Sequence, residues 1–337
     1  MHDAARFEGR LADFLADPED RLAAGAVLDA SAEPLYALQL FAAACRVRDA
    51  VLGRRLVWAA GLTGVLPCTL TPHCRYCGIY TPERPPLEDI VAAARVIAGL
   101  GLTRLQFSGG TRLEGYDAEA LDMVRAVRAA CDLELEINLG PSLSRQGVHD
   151  LMAAGVVTVA SSLEVFDPAM FARYKPGDSR ERRIELLHIV EEEGAGLKSI
   201  MLVGLGESNR ERLELLYFLR QFGRMRELRL SRHRPVLAGE RCSPWETARL
   251  VAMARILMPR VNIGLGGAGS GPDDLPLCLA AGGGNRVGGA MASLLVRQET
   301  AGPGIFCIPI NQRVTVINRM PLVADSLRGM GLQAYVN

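Results

Sequence analysis

Residues 133–163, LELEINLGPSLSRQGVHDLMAAGVVTVASSL, decide the fold. Residues 133–139 form a short apolar run of the kind that makes a buried strand. Residues 144–154 are amphipathic at helical spacing, with Ser144 where an N-cap belongs and Gly155 where the helix should end. Residues 156–163 turn apolar and β-branched again. A buried strand, a helix and a second buried strand make a βαβ unit, and near-continuous apolar strands place such units in a parallel sheet.

Outward from this stretch the unit repeats. Strands are predicted near 56–66 and at 102–108, 197–203, 227–231, 261–265 and 284–288. Helices are predicted at 88–99, 117–130, 179–193, 209–222 and 244–258. Asp178 or Ser179 would cap the helix that Gly194 ends. Eight units in about 280 residues predict an α/β protein of the (β/α)₈ TIM-type barrel class, with an open doubly wound sheet as the alternative. Residues 1–54 read as an N-terminal helical extension and 55–337 as the barrel with a C-terminal closing segment. In the extension Leu11, Phe14 and Leu15 share one face, and Leu35, Leu38, Ala42 and Cys45 share another.

Composition narrows the function. The 337 residues carry 38 Lys+Arg and 38 Asp+Glu, so no global charge draws the chain to nucleic acid. No run of 18 apolar residues predicts a membrane span, and the acidic, amphipathic start does not read as a secretory signal. A cytoplasmic protein is expected. Eight cysteines are too few for a disulfide scaffold, and their clustering points to metal chemistry in a reducing compartment. Lysine occurs only at Lys175 and Lys198.

The cluster is CTLTPHCRYC, residues 68–77, in the loop after the first strand. Cys68, Cys74 and Cys77 offer three thiolates, the ligands of iron–sulfur clusters and of zinc. Three thiolates without a local fourth ligand suit a cluster with one open iron, which implies catalysis. His73 offers the alternative of a structural Cys₃His zinc site, in a zinc- or cluster-binding barrel without radical chemistry.

These residues resemble the radical S-adenosylmethionine (SAM) superfamily, in its biotin synthase-like group. There three closely spaced cysteines hold a [4Fe–4S] cluster and an aromatic residue precedes the last, as Tyr76 does here. The family's usual spacing is three residues then two; here it is five then two, a spacing that resembles the maturase of the [Fe]-hydrogenase iron-guanylylpyridinol cofactor. Gly109 and Gly110 in QFSGGT are similar to the glycine pair that admits the SAM amine, although Thr111 stands where an acid often follows. Glu164 resembles the acid that binds the ribose hydroxyls. Ile200, Leu202 and Gly204 resemble the strand-five motif that packs the adenine. The resemblance covers most of the chain, including DPAMFARYKPGDSRERR at 167–183, and extends to the [FeFe]-hydrogenase maturase and methylornithine synthase. It implies a [4Fe–4S] cluster, SAM, an external one-electron donor of flavodoxin or ferredoxin type, and a 5′-deoxyadenosyl radical that takes hydrogen from a substrate. Cofactor biosynthesis is the first expectation and an amino-acid mutase or lyase of methylornithine synthase type the second.

The strands carry unusual polar residues. Phe107, Glu136, Lys198 and Asn262 stand where biotin synthase keeps its second cluster, so sulfur insertion by that route is not expected. Glu136 and Asn138 share a strand face, as do Arg229, Ser231 and His233, which Arg234 follows. If these point inward, Glu136, Lys198, His233 and Arg234 are catalytic candidates, Asn138 a cofactor contact, and the cavity fits a small polar substrate. The alternatives are a surface lysine and a solvated strand end. His149 and His188 are expected on helix surfaces. Cys45, Cys131, Cys242, Cys278 and Cys307 read as small hydrophobes, with an auxiliary cluster of Cys242, Cys278 and Cys307 as the alternative.

Overall fold

The computed structural model describes residues 2–77, 83–233, 242–265, 274–293 and 301–336. Three helices, α1 (His2–Ala16), α2 (Arg21–Ala30) and α3 (Pro34–Leu52), precede β1 (Arg55–Thr63). Then follow α4 (Leu87–Gly99), β2 (Arg104–Ser108), α5 (Asp117–Ala130), β3 (Glu134–Asn138), α6 (Arg145–Ala153) and β4 (Val156–Ala160). Next come α7 (Pro168–Tyr174), α8 (Arg180–Glu193), β5 (Gly196–Val203), α9 (Asn209–Arg220), β6 (Met225–Arg232) and α10 (Pro244–Leu257). The barrel units end with β7 (Asn262–Leu265), α11 (Asp274–Ala280) and β8 (Arg286–Ser293). A tail adds β9 (Phe306–Pro309), β10 (Thr315–Asn318), α12 (Met320–Gly329) and β11 (Gln333–Tyr335).

Local chemistry sets the boundaries. The Ser144 hydroxyl accepts from the Gly147 N–H at 3.0 Å and Ser179 accepts from Arg182 at 3.2 Å, so each satisfies an orphan donor of its helix. Gly194 ends α8 in the left-handed conformation, φ 84°, where a Cβ would be strained. Asp178 does not cap; its carboxylate serves an ion network described below.

Strands β1 to β7 lie side by side in chain order, and β8 pairs with the far edge of β1, all parallel. This is the predicted TIM-type arrangement, but the sheet does not close. Between β7 and β8 the described residues form one isolated bridge, Ile263 to Gly284. Further along the same strand, β10 pairs antiparallel with β8 from Ala290 to Ser293. Side chains span the seam instead. Asn262 Oδ1 accepts from the backbone N–H groups of Asn285 at 2.8 Å and Arg286 at 3.0 Å. Fully buried Arg255 of α10 donates to the carbonyls of Val261 and Gly282 on either side, at 2.7 and 2.8 Å.

The prefix helices pack on the barrel through one continuous apolar core. Leu11 and Phe14 are buried as expected, with Leu15 half-buried. The expected face of α3 is corrected: Leu35 and Leu38 are 56% and 53% exposed, Ala42 is exposed, and Ala37, Leu40, Phe41 and Ala44 face inward instead. Helix α3 is apolar on several sides. Its alanine-rich side lets it sit closely on α10, where Phe41 stacks on Trp245 at 5.6 Å.

Candidate functional site

The cysteine loop lies over the C-terminal ends of the strands, where barrels carry their chemistry. Its start is anchored by Tyr116, whose hydroxyl donates to the Pro67 carbonyl at 2.6 Å, and by Thr69 N–H to Thr111 O at 3.0 Å. The Gly110 N–H donates to Leu66 O at 2.8 Å. A Cβ at Gly110 would fall 2.3 Å from the Cys68 nitrogen, and one at Gly109 would fall 2.7 Å from Leu139 Cδ2. The glycine pair is therefore needed to seat the cysteine loop itself. Further along, Arg75 N–H donates to Tyr174 O at 2.8 Å, and a Cβ at Gly177 would meet Pro72 O at 2.3 Å. The segment after α7 thus packs on the loop from its other side.

Cys68, Cys74 and Cys77 are all half-buried and unbridged. Burial pushes the Cys74 thiol up to about 12, against the opposing pull of Lys175, with Glu164 and Asp178 adding to the rise. A thiol so placed becomes a thiolate through a metal, which deprotonates its ligands. Among the described residues no three His, Cys, Asp or Glu side chains converge on a single ion. A cluster distributes its thiolates over separate irons. Three thiolates on one loop, held over a glycine floor, fit that donor set.

Beside Cys74 lies a compact ion network that the sequence reading missed. Lys175, 1% exposed, donates to Glu164 Oε2 at 2.9 Å and pairs with Asp178 at 3.3 Å. Arg183 Nη2 binds Asp178 at 2.6 Å, and Arg183 Nη1 donates to Ser162 O at 2.8 Å. Burial would raise Asp178, yet Arg183 and Lys175 hold it below the usual carboxylate range. Glu164 itself has φ 70°, a left-handed conformation uncommon outside glycine that costs about 1–3 kcal/mol and marks functional sites. The strained backbone and Lys175 together fix where this carboxylate points. Its carbonyl accepts from Leu202 N–H at 2.9 Å, and Glu164 and Leu202 line one narrow cleft with Met170 and Glu207. Gly204, φ 99°, donates its N–H to Glu207 at 2.8 Å, and a Cβ there would strike Cys242 Sγ at 2.7 Å.

Below the mouth, the polar strand residues do point inward. Lys198, on β5, reaches Gln106 on β2, Glu136 on β3 at 3.2 Å and Glu227 on β6 at 2.7 Å. Only side chains crossing a barrel interior join such distant strands. Arg286 of β8 closes the same layer at 2.6 Å from Glu136 and 3.1 Å from Glu227, and Arg229 pairs with Glu227. Burial would raise both carboxyls, but Arg229, Lys198 and Arg286 hold Glu227 well below its ordinary value, and Lys198 and Arg286 hold Glu136 below. Burial and Arg229 push Lys198 down, against Glu227 and Glu136. Lys198 and Glu227 are third in their strands and Arg286 first, so with Gln106 and Glu136 they form a floor, and Arg229 stands two residues above Glu227 on β6.

Above that floor the described residues leave the interior open. Gly61 pairs in register with inward Gln106, Gly264 follows Asn262 by two residues, and Gly288 follows Arg286 by two, so all three face inward. Among the described residues, a Cβ at Gly61 or Gly288 would meet nothing within 4 Å, and at Gly264 only Asn262 Nδ2 at 3.9 Å. Ser108, Asn138, Ile200 and Arg229 on this face are each partly exposed. His233 stands at the rim, its N–H on Val203 O at 2.7 Å, its imidazole pushed down by burial against the pull of Glu207. Arg234 lies outside the described residues. Tyr76 packs partly buried against the core.

Placement thus brings Cys68 onto Gly110, Cys74 beside Glu164, and Glu136 onto Lys198. His149 and His188 are exposed on helices, as expected. Cys242 lies against Gly204, Cys278 against Gly283, and Cys307 on β9, so the three sit on different elements. Glu227 was missed although it precedes Arg229 by two on the same face. Lys175 was missed although it is the chain's other lysine.

Residues 68–219 match the Radical SAM superfamily. An uncharacterized protein of Methanocaldococcus jannaschii is 27% identical over 241 residues, 67% of this chain and 63% of that protein. The biotin synthase of Paraburkholderia phytofirmans is 28% identical over 227 residues, 62% of each chain. The match therefore spans less than two thirds of either relative. Among solved structures, methylornithine synthase superposes at a TM-score of 0.75 with 17% identity, covering 96% of this chain and 97% of that one. The [FeFe]-hydrogenase maturase of Carboxydothermus hydrogenoformans gives 0.75 with 18% identity, covering 99% and 80%. These two likenesses show the fold. No helix among the described residues is long and apolar enough to cross a membrane. Residues 68–219, with their cysteine loop and glycine floor, are thus similar to the radical SAM superfamily, and the chain around them is similar to biotin synthases; the cofactors of that family are a [4Fe–4S] cluster and SAM.

Proposed function

We propose that this protein uses SAM to start radical chemistry on a small polar substrate held inside the barrel. The observation that carries the reading is the vertical order of the site: a three-thiol loop seated on Gly109 and Gly110, a fixed carboxylate at Glu164 beside it, and an open polar chamber beneath. Cys68, Cys74 and Cys77 would hold the cluster. When bound and reduced by an external one-electron donor of flavodoxin or ferredoxin type, the cluster and SAM supply a 5′-deoxyadenosyl radical for hydrogen abstraction. The chain's own residues do the rest. Glu164, oriented by Lys175, offers acceptors for ribose hydroxyls. Leu202 covers an apolar ring in the cleft. Strand glycines make room for substrate, and the barrel wall excludes water from the reacting carbon.

The five-and-two cysteine spacing supports a role in cofactor biosynthesis of the iron-guanylylpyridinol, hydrogenase-maturation type. A second reading, an amino-acid mutase or lyase of methylornithine synthase type, is favoured by the polar chamber with a partly exposed arginine. Anaerobic reconstitution with iron and sulfide, followed by EPR with and without SAM, tests the shared chemistry. The expected result is a [4Fe–4S]⁺ signal that shifts with SAM and is lost in Cys74→Ala. A colourless protein holding tight zinc instead would overturn it. Incubation with SAM, dithionite and amino acids separates the two roles, because only the mutase reading yields a rearranged amino acid.

A further inference from the structure

The floor of the chamber is not electrically balanced. Lys198, Arg229 and Arg286 meet only Glu136 and Glu227. Arg104 and Glu134, paired at 2.6 Å at the outer rim of the same layer, add one charge of each sign. Among the described residues one positive charge is left over. A buried cation without its counterion is costly, and proteins keep one where a ligand supplies the anion.

The surplus has an address. Arg229 lies two residues up β6 from the floor and is the more exposed of the two inward guanidiniums that pair with Glu227, 22% against 11% for Arg286. Its register partner on β5 is Ile200 and on β7 is Gly264. Among the described residues, only Asn262 Nδ2 comes within 4 Å of where a Cβ on this glycine would stand. Asn262 borders that space. Its Oδ1 is fixed by two backbone donors, so its Nδ2 is turned toward Gly264, 3.9 Å from where a Cβ would stand. The amide nitrogen makes no hydrogen bond among the described residues. A guanidinium and an amide N–H thus flank a volume that no described residue fills, above a floor of net positive charge.

We infer that this pocket binds a carboxylate of the substrate, with Arg229 and Asn262 Nδ2 as donors and Gly264 as the space it fills. The inference rests on the radical SAM reading and names the substrate class within it. The carboxylate supplies the missing negative charge. Its anchoring low in the barrel turns the rest of the molecule up toward the cysteine loop. Ile200 beside Arg229 gives the adjoining carbon an apolar contact.

The experiment uses reconstituted, SAM-loaded protein and a panel of small 2-amino, 2-hydroxy and 2-oxo acids, aliphatic and aromatic, each with its primary carboxamide. Binding is read by thermal midpoint and turnover by 5′-deoxyadenosine release. At least one acid should bind about tenfold or more tighter than its amide, the loss expected when a charged hydrogen bond becomes neutral. Arg229→Met should remove that preference and Arg229→Lys should retain part of it. Gly264→Val guards against a folding artefact: valine suits a strand and its Cβ meets no described neighbour closer than 3.9 Å, so the barrel should keep its stability while the acid no longer binds. The SAM-induced EPR shift is recorded for every variant. If it is absent in the parent protein, the radical SAM reading fails. If it is present while acids and amides bind alike, no acid binds, or Gly264→Val binds the acid as the parent does, the carboxylate pocket is wrong.

Discussion

Replacing Lys198 with methionine tests whether the chamber floor is a true buried ion layer. The side chain is 0% exposed and touches Glu136 and Glu227 at 3.2 and 2.7 Å. Breaking a buried ion pair by removing one partner costs about 3–5 kcal/mol, because a carboxylate is left without its cation. Here Arg286 and Arg229 still face the two carboxylates, so the loss belongs at the low end, about 3 kcal/mol. At about 2 °C per kcal/mol for a large domain, the thermal midpoint should fall by about 6 °C. The pH profile carries the sign. Glu136 and Glu227 sit below their ordinary values when folded, so their contribution is complete above the unfolded carboxylate pKa of about 4.3 and is lost as pH falls through the folded values. Without Lys198 those values rise, and the acid limb of stability should move to higher pH. Scanning calorimetry between pH 3 and 8, about the range in which carboxylates titrate, measures both effects. A loss under about 1 kcal/mol with an unmoved acid limb would refute the buried layer.

Three further substitutions probe other parts of the site. Gly110→Ala drives a Cβ to 2.3 Å from the Cys68 nitrogen, so reconstituted iron should fall from about four atoms per chain to under one while circular dichroism stays native; full iron loading would contradict the close approach. Lys175→Met frees the Glu164 carboxylate, and the SAM concentration that half-shifts the EPR signal should rise about tenfold, the value of one charged hydrogen bond. Asn262→Leu removes two hydrogen bonds across the seam and should cost about 1–3 kcal/mol in urea unfolding; an unchanged midpoint would mean that the seam is held elsewhere.

The barrel was legible because its period was clean. Strands β2 to β5 and helices α4 to α10, α7 excepted, fall within a few residues of where apolar runs, Ser144 and Gly194 place them. The tail was not legible: β9, β10 and β11 are three or four residues long and fixed by their partners rather than by any pattern of their own. The open seam between β7 and β8 was equally hidden. Leu35 and Leu38 misled because α3 is apolar on more than one side, and only its packing partner decides which side is buried. At the site, the cysteine spacing announced itself. Glu227, Arg286 and Lys175 did not, because an ion layer is a property of strands brought together across a barrel. The strongest available hint was scarcity: both of the chain's lysines are buried in ion networks.

The strand that carries the cysteine loop is flanked by partners made at very different times. β1 borders β2, which follows within about fifty residues, but also β8 and β11, which lie more than 200 residues further along the chain. During synthesis one side of β1 therefore waits for most of the protein to emerge. Such long-range pairing slows folding, since the chain must close a large loop before the contact rewards it. Residues 68–77 hang from this late-completed strand. The metal-ligating loop is made early, while the wall beneath it is finished last, which leaves an interval in the life of each molecule when the thiols are present and the chamber is still open from the side.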